Sequence, residues 1–326
     1  MFETDPLHIG LSSTDRTLPL MLGEVSTPGL NLNVQWGSSG DIFRRALIEQ
    51  EFDVTEMSLA AFSIMVARDE SPFIGLPVVL SRMFRHGCIF VRSDNVIQRL
   101  EDLEGTRIGV PEIQMTAVVW LRGILQNHHG VDIEQVDWVR GGVNRAGPIQ
   151  EKIKFTPSER FSVTDLPEKS LNQALLDDDI DAIISPHRPK GLRDKSLRVL
   201  LKDTRQAELH YFSTSGIFPS MHLLVMRKEA YHRNILSLKD LYHCFLESKN
   251  ISIKRLSSLD ALPVMVPWLV QEMERTRELM GVDYWPYGFT LIRDELQVFL
   301  AYLDQQALLK RALKPEDLIA PELIDT

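Results

Sequence analysis

FRHGCIFVR occupies residues 84–92. Its second half, Cys88-Ile89-Phe90-Val91, is short and apolar, the pattern of a buried strand. A cationic cluster of Arg82, Arg85 and His86 stands at its mouth. Beyond this strand a turn, Glu101-Asp102-Leu103-Glu104-Gly105, leads into another strand, Arg107-Ile108-Gly109-Val110, so a second unit has begun. The chain therefore crosses over near residue 90. After Ser213-Thr214-Ser215-Gly216 it turns apolar again, at Ile217-Phe218-Pro219 and Leu223-Leu224-Val225-Met226, and crosses back near 220. Two crossings imply two lobes. We expect one lobe from residues 1–90 plus 220–326, a second from 91–219, and a ligand cleft between them.

Upstream of the quoted stretch, Leu7-His8-Ile9-Gly10-Leu11 is short and apolar, and Leu32-Asn33-Val34-Gln35-Trp36 alternates. Residues 42–50 run at helical spacing after a Gly/Ser loop. Phe52-Asp53-Val54 is a short strand, Glu56-Met57-Ser58 leads into a helix ending near Ala67, and 73–80 is another strand. This rhythm predicts an α/β fold of mainly parallel sheets flanked by helices. Downstream, Pro111 to Thr116 enters a helix with Ala117, Trp120, Leu121, Ile124 and Leu125 on one stripe. A strand at 136–139, a polar excursion at 141–170, a helix at 171–176 and a strand at 181–184 follow. Beyond Lys228 the pattern is helical, over 229–248, 264–280 and 291–309.

The chain has 326 residues, 44% hydrophobic and 25% charged, enough for a large core. Its net charge of −9 argues against nucleic acid and against an anionic membrane surface as partner. A small anion is still compatible, because a site needs only two or three local cations. No window has the ~18 apolar residues of a membrane span. The opening residues lack the apolar core of a secretory signal, so a cytoplasmic location is expected. Two cysteines, Cys88 and Cys244, exclude a cysteine-ligated zinc or iron–sulfur centre. A homo-oligomer stays open.

Open α/β sheets bind ligands at the carboxyl ends of their strands. Ser12 and Arg16 follow the first strand, and Glu56 and Ser58 follow the third. If the chain is extended after residue 80, Arg82, Phe84 and His86 share a face and Arg85 takes the other. Guanidinium groups hold carboxylates through paired hydrogen bonds, and a histidine beside them can move protons near neutral pH. The helix start at 111–116 offers free N–H groups to an anion, with Gln114 and Thr116 as donors and Glu112 as a proton source. His187 and Arg188 follow the strand at 181–184, and Phe218 and His222 lie on the second crossover. His86, His187, His222 and a carboxylate form the one set that could converge on a metal, and no short-range ligand motif supports it.

Several of these stretches recur together. Asp15-Arg16-Thr17, Glu51 through Leu59, Ser81 through Gly87, Gly109 through Ala117, Gly216 through His222 and Trp285-Pro286-Tyr287-Gly288 occur in that order. Together they resemble the 4,5-dihydroxyphthalate decarboxylase family over about residues 7–320. The resemblance implies a two-lobed fold like that of type 2 periplasmic binding proteins. It also implies loss of CO2 from a small aromatic dicarboxylate, 4,5-dihydroxyphthalate, to give protocatechuate. Thr14 departs from the pattern, where an aromatic residue is expected. In this chemistry the ring accepts and returns the electrons itself, so no cofactor is expected, while a metal stays open.

Three tasks follow: a base for the ring hydroxyl, an acid for the ring carbon and cations for the carboxylate that stays. We expect His86, His187, His222 and Glu112 to supply acid and base. Arg82 and Arg188 should clamp the carboxylate, with Arg16, Ser12, Glu56, Ser58, Arg85, Gln114, Thr116 and Phe218 lining the site. The rival expectations are an anion-binding receptor without chemistry, and an enzyme of the same fold acting on another aromatic acid.

Overall fold

The computed structural model describes residues 5–149, 151 and 153–326. Among them are eleven strands: β1 Leu7–Ser12, β2 Leu32–Gly37, β3 Val54–Ser58, β4 Phe73–Arg82, β5 Ile89–Arg92, β6 Arg107–Val110, β7 Asp137–Arg140, β8 Val163–Asp165, β9 Ala182–Ile184, β10 Leu197–Val199 and β11 Ser220–Arg227. They form two sheets, ordered β2-β1-β3-β11-β4 and β10-β5-β9-β6-β7-β8. Each is parallel through several neighbours and takes antiparallel strands where the chain changes sheet. In the first, β1 pairs in parallel with β2 and β3, and returning β11 runs antiparallel between β3 and β4. In the second, β5 pairs antiparallel with both β9 and β10.

β3 corrects the sequence reading, which ends a strand at Val54 where this one starts. All five of its residues are buried, including Thr55, Glu56 and Ser58. Polar side chains are tolerated there because β1 and β11 flank the strand and supply partners. Thr55 Oγ1, for example, donates to the Gly10 carbonyl at 3.2 Å. The extended reading of residues 82–86 is corrected too. β4 ends at Arg82, and a 3-10 turn at His86–Cys88 breaks the alternation before β5 begins.

The helix Thr116–His129 packs on the helix Phe289–Gln305. Trp120 lies 5.1 Å from Phe299 and edge-on to Tyr302 at 5.6 Å, and its indole N–H donates to the Ser220 carbonyl at 2.8 Å. Burying a side chain such as Phe299 contributes about 1.5–3 kcal/mol. Gly123 permits the approach: a Cβ there would stand 2.0 Å from the Tyr302 ring. The helical run expected over 229–248 divides into Lys228–Asn234 and Leu238–Leu256 around a 3-10 turn. The one expected from 264 starts at Leu269, after Pro267, which has no N–H to give a helix interior. The helix Thr204–Ser215 and strands β8 and β10 have no counterpart in the sequence reading. Among the described residues no helix is long and apolar enough to cross a membrane.

Candidate functional site

The carboxyl ends of β1, β3 and β4 reach the same edge of the first sheet, and β11 starts there. His222, third in β11, is paired in register with Ser58 at the end of β3. Its Nδ1 lies 2.5 Å from Glu56 Oε1. The other carboxylate oxygen of Glu56 accepts the Ser12 N–H at 2.8 Å. Ser12 Oγ in turn meets Ser39 Oγ at 2.8 Å, and the Phe43 ring packs edge-on against the imidazole at 4.9 Å. Glu56 is buried, whereas the His222 side chain keeps 18% of its surface. An ionised carboxylate only accepts, so the Nδ1 position carries the shared proton and Nε2 is left to exchange protons with a ligand. Burial pushes the Glu56 carboxyl up, but the hydrogen bond and charge of His222, with the Ser12 bonds, outweigh it and bring it below its ordinary value.

Beside this pair, the starts of the helices that follow β3 and β6 meet. Ser58 caps the helix Leu59–Ala67 by accepting the Ala61 N–H at 3.4 Å. Thr116 Oγ1 accepts the Ala60 N–H at 3.1 Å and bonds Ser58 Oγ at 3.0 Å. Thr116 opens its own helix, whose first turn presents N–H groups without intrahelical acceptors. Two positive helix ends therefore adjoin the Glu56–His222 pair.

The remaining expected residues have other partners. Arg16 lies flat over the Trp285 ring at 4.4 Å, with its Nε donating to the Leu80 carbonyl and one amino group on Asp15. Arg82 is committed elsewhere: it pairs with Glu295 at 2.5 Å and donates to the carbonyls of Phe218 and Pro286. Its side chain is 1% exposed, so the expected clamp of Arg82 with Arg188 does not form. Phe218 stacks on Phe84 at 4.7 Å and meets Trp285 edge-on at 5.5 Å. Gln114 points to the excursion, donating to the Ile153 carbonyl at 2.7 Å. Glu112 and His187 both line a 580 Å³ cavity on the second sheet's carboxyl edge, with Met115 and residues 141–149. Arg85 Nε lies 3.3 Å from Met221 Sδ, and Arg188 is exposed. Burial pushes the Cys88 thiol up, against the pull of Arg85 and of Arg188.

His86 is buried against the Tyr211 ring at 5.4 Å, and neither ring nitrogen has a partner among the described residues. Burial, helped by His129 and His128, pushes it down to about 4. It is therefore neutral in the folded chain at pH values where the unfolded chain protonates. Its effect is absent above about pH 6.5, and it costs stability progressively as the pH falls to about 4. The full cost is about 3 kcal/mol. Denaturant titrations of wild type and His86→Phe at pH 7 and pH 4.5 should show the smaller loss in the variant. Equal losses would remove His86 as a cause of acid sensitivity. Among the described residues no three His, Cys, Asp or Glu side chains converge as metal ligands.

A 4,5-dihydroxyphthalate decarboxylase of Comamonas testosteroni is 34% identical over 323 residues, covering 98% of both chains. The chain belongs to the 4,5-dihydroxyphthalate decarboxylase family. A Pseudomonas putida protein of the same name is 38% identical over 184 residues, 56% of this chain and 71% of that one. No family model matches the chain. Among solved structures, the periplasmic aliphatic sulphonate binding protein of Escherichia coli superposes with a TM-score of 0.56 at 13% identity, over 99% of both chains. The alkanesulfonate-binding protein of Xanthomonas axonopodis gives 0.55 at 12%, over 98% of this chain and 99% of that one. The two-lobed fold of periplasmic binding proteins is thus the scaffold of this decarboxylase-family chain.

Four residues around the site were not among the expected site residues. Ser39 and Phe43 support Ser12 and His222, and Trp285 and Glu295 hold the two arginines. Trp285 stands in one of the stretches that carry the family resemblance, which was its signal. Glu295 is one acid among several on an amphipathic helix, and nothing local marks it.

Proposed function

We propose that this chain is a carboxy-lyase that decarboxylates 4,5-dihydroxyphthalate to protocatechuate, the activity for which its relatives are named. The observation that carries the reading is the buried Glu56 carboxylate on His222 Nδ1. A carboxylate there holds the ring and its Nδ1 proton in place and leaves Nε2 as the nitrogen that can take a proton. His222 Nε2 takes the proton from the hydroxyl para to the carboxylate that leaves. The phenolate pushes electrons onto that ring carbon, which accepts a proton from a general acid. The carbon–carboxylate bond then breaks, CO2 departs with its oxygens intact, and the bond pair restores the ring. Imidazolium His222 returns its proton to the phenolate. Overall, one proton replaces one CO2.

His187 and Glu112, on the cavity of the second sheet, are our candidates for the acid. The carboxylate that stays is held by Arg85 and Arg188 with the N–H groups at the start of the Thr116 helix. Ser12, Ser58 and Thr116 fix the geometry of the pair and the helix ends. Arg16 and Phe218 shape the aromatic wall. His86, Arg82 and Gln114 take no direct part in this reading. Residues 1–90 plus 220–326 and residues 91–219 act as the two jaws. A cytoplasmic location goes with this reading, and two free cysteines suit a reducing compartment.

The test is to mix the purified protein with 4,5-dihydroxyphthalate and follow CO2 and ultraviolet absorbance. One CO2 and one protocatechuate per substrate are expected. Tight binding without product would mean a receptor, and neither binding nor product would mean another aromatic acid.

A further inference from the structure

The helix Thr116–His129 carries a charge on its buried side. Arg122 is fully buried, and among the described residues no acid pairs with it. Burial alone pushes its guanidinium down to about 9, which leaves it charged at pH 7. Its Nε and Nη1 have no hydrogen-bond partner among the described residues. The rings of Trp138 at 5.2 Å and Phe161 at 6.0 Å offset part of that cost. A methionine would fill the same space without an unpaired charge, and such exchanges are often neutral or stabilising. What methionine lacks is the one hydrogen bond Arg122 makes. Its Nη2 donates to the Ile113 carbonyl at 2.7 Å, nine residues back and outside the helix. Ile113 is buried in the middle of the segment between β6 and that helix. Before it, Glu112 lines the cavity of the second sheet. After it, Thr116 bonds Ser58 and the Ala60 N–H beside the Glu56–His222 pair. The segment has few bonds of its own. The Met115 N–H reaches the Glu112 carbonyl at 3.3 Å, Met115 caps the helix without a side-chain bond, and Gln114 adds its bond to Ile153.

We propose that Arg122 is a positioning residue for the decarboxylation. Its bond to Ile113 fixes residues 112–116 and so sets the cavity that Glu112 lines against the edge that holds Glu56 and His222. Arg122 touches no substrate. It acts through the segment that joins the two parts of the site. A guanidinium suits the task, because a charged donor makes a stronger bond than a neutral one and a planar fork holds its direction. Chemistry shared between groups on separate elements depends on their spacing, and a displacement of about 1 Å can cost about a hundredfold in rate. The catalytic half of this inference rests on the proposed reaction. The mechanical half, that Arg122 holds the segment, does not.

Arg122→Met is compared with wild type by steady-state kinetics, by thermal melting and by hydrogen exchange read by mass spectrometry over residues 111–117. Turnover should fall by about ten- to a hundredfold with KM little changed. Exchange over 111–117 should quicken by about tenfold or more, with the helix Leu171–Leu176 unchanged as the internal control. The melting midpoint should hold or rise, because the variant loses an unpaired buried charge. Arg122→Lys, whose ammonium can still donate to the carbonyl, should recover much of both losses. If the methionine variant does not fold, Arg122→Gln, polar but too short to reach Ile113, is judged by the same criteria. Exchange at the wild-type rate overturns the proposal. So does a looser segment with turnover within about threefold of wild type. A lower midpoint with turnover per folded chain intact is the pattern of a packing residue and overturns it as well. A wild type that releases no CO2 defeats the proposed reaction, and exchange then decides whether Arg122 holds the segment.

Discussion

His222→Gln is expected to lower kcat by about 10²–10⁴-fold on 4,5-dihydroxyphthalate, the range for loss of one general acid–base group. Glutamine keeps a donor near Glu56 Oε1, so the fold around Ser12 should persist and KM should change little. Glu56→Gln should cost less. It keeps the shape but removes the acceptor charge from the Nδ1 proton. Steady-state kinetics across pH 5–9 (roughly the span in which histidine titrates) separate the two. A His222→Gln enzyme within threefold of wild type would take His222 out of the chemistry and leave the Glu56 bond a structural one.

The second large effect is on stability. Arg82→Met should destabilise the protein by up to about 3–5 kcal/mol, because it leaves the half-buried Glu295 charged and unpaired beside the Ser220 N–H it also accepts. Arg82 Nε has no partner among the described residues, so the pair is not fully satisfied even in the wild type. Replacing both members, Arg82→Met with Glu295→Leu, should recover most of that loss. Urea denaturation of the three variants gives the measurement. A substrate-binding arginine would behave differently: its loss would raise KM and leave the unfolding midpoint almost unchanged. That outcome would put Arg82 back in the ligand site.

The two crossings were legible because apolar strands near 90 and 220 are bounded by Gly and Pro, signals local to the chain. Glu56 and Ser58 were read as following a strand that ends at Val54, whereas they lie within β3, and His222 was read on the crossover before β11, of which it is the third residue. The Glu56–His222 bond, formed across 166 positions, was not legible. The misreading of Arg82 has the same cause. Its partner sits 213 residues away on a helix whose polar positions look interchangeable in sequence. Residues 82–86 were read as extended because nothing local announces that the strand stops at Arg82. The excursion at 141–170 hid β8, whose three residues, Val163, Thr164 and Asp165, are too few and too polar for a periodicity argument.

Hydroxyls from Ser58 and Thr116 already occupy the amides of Ala60 and Ala61. A scavenging receptor would spend such amides on its solute and gain grip. Here those two amides are taken, and an anion at this edge must draw its donors from elsewhere. Uniform tightness toward bound molecules does nothing for turnover.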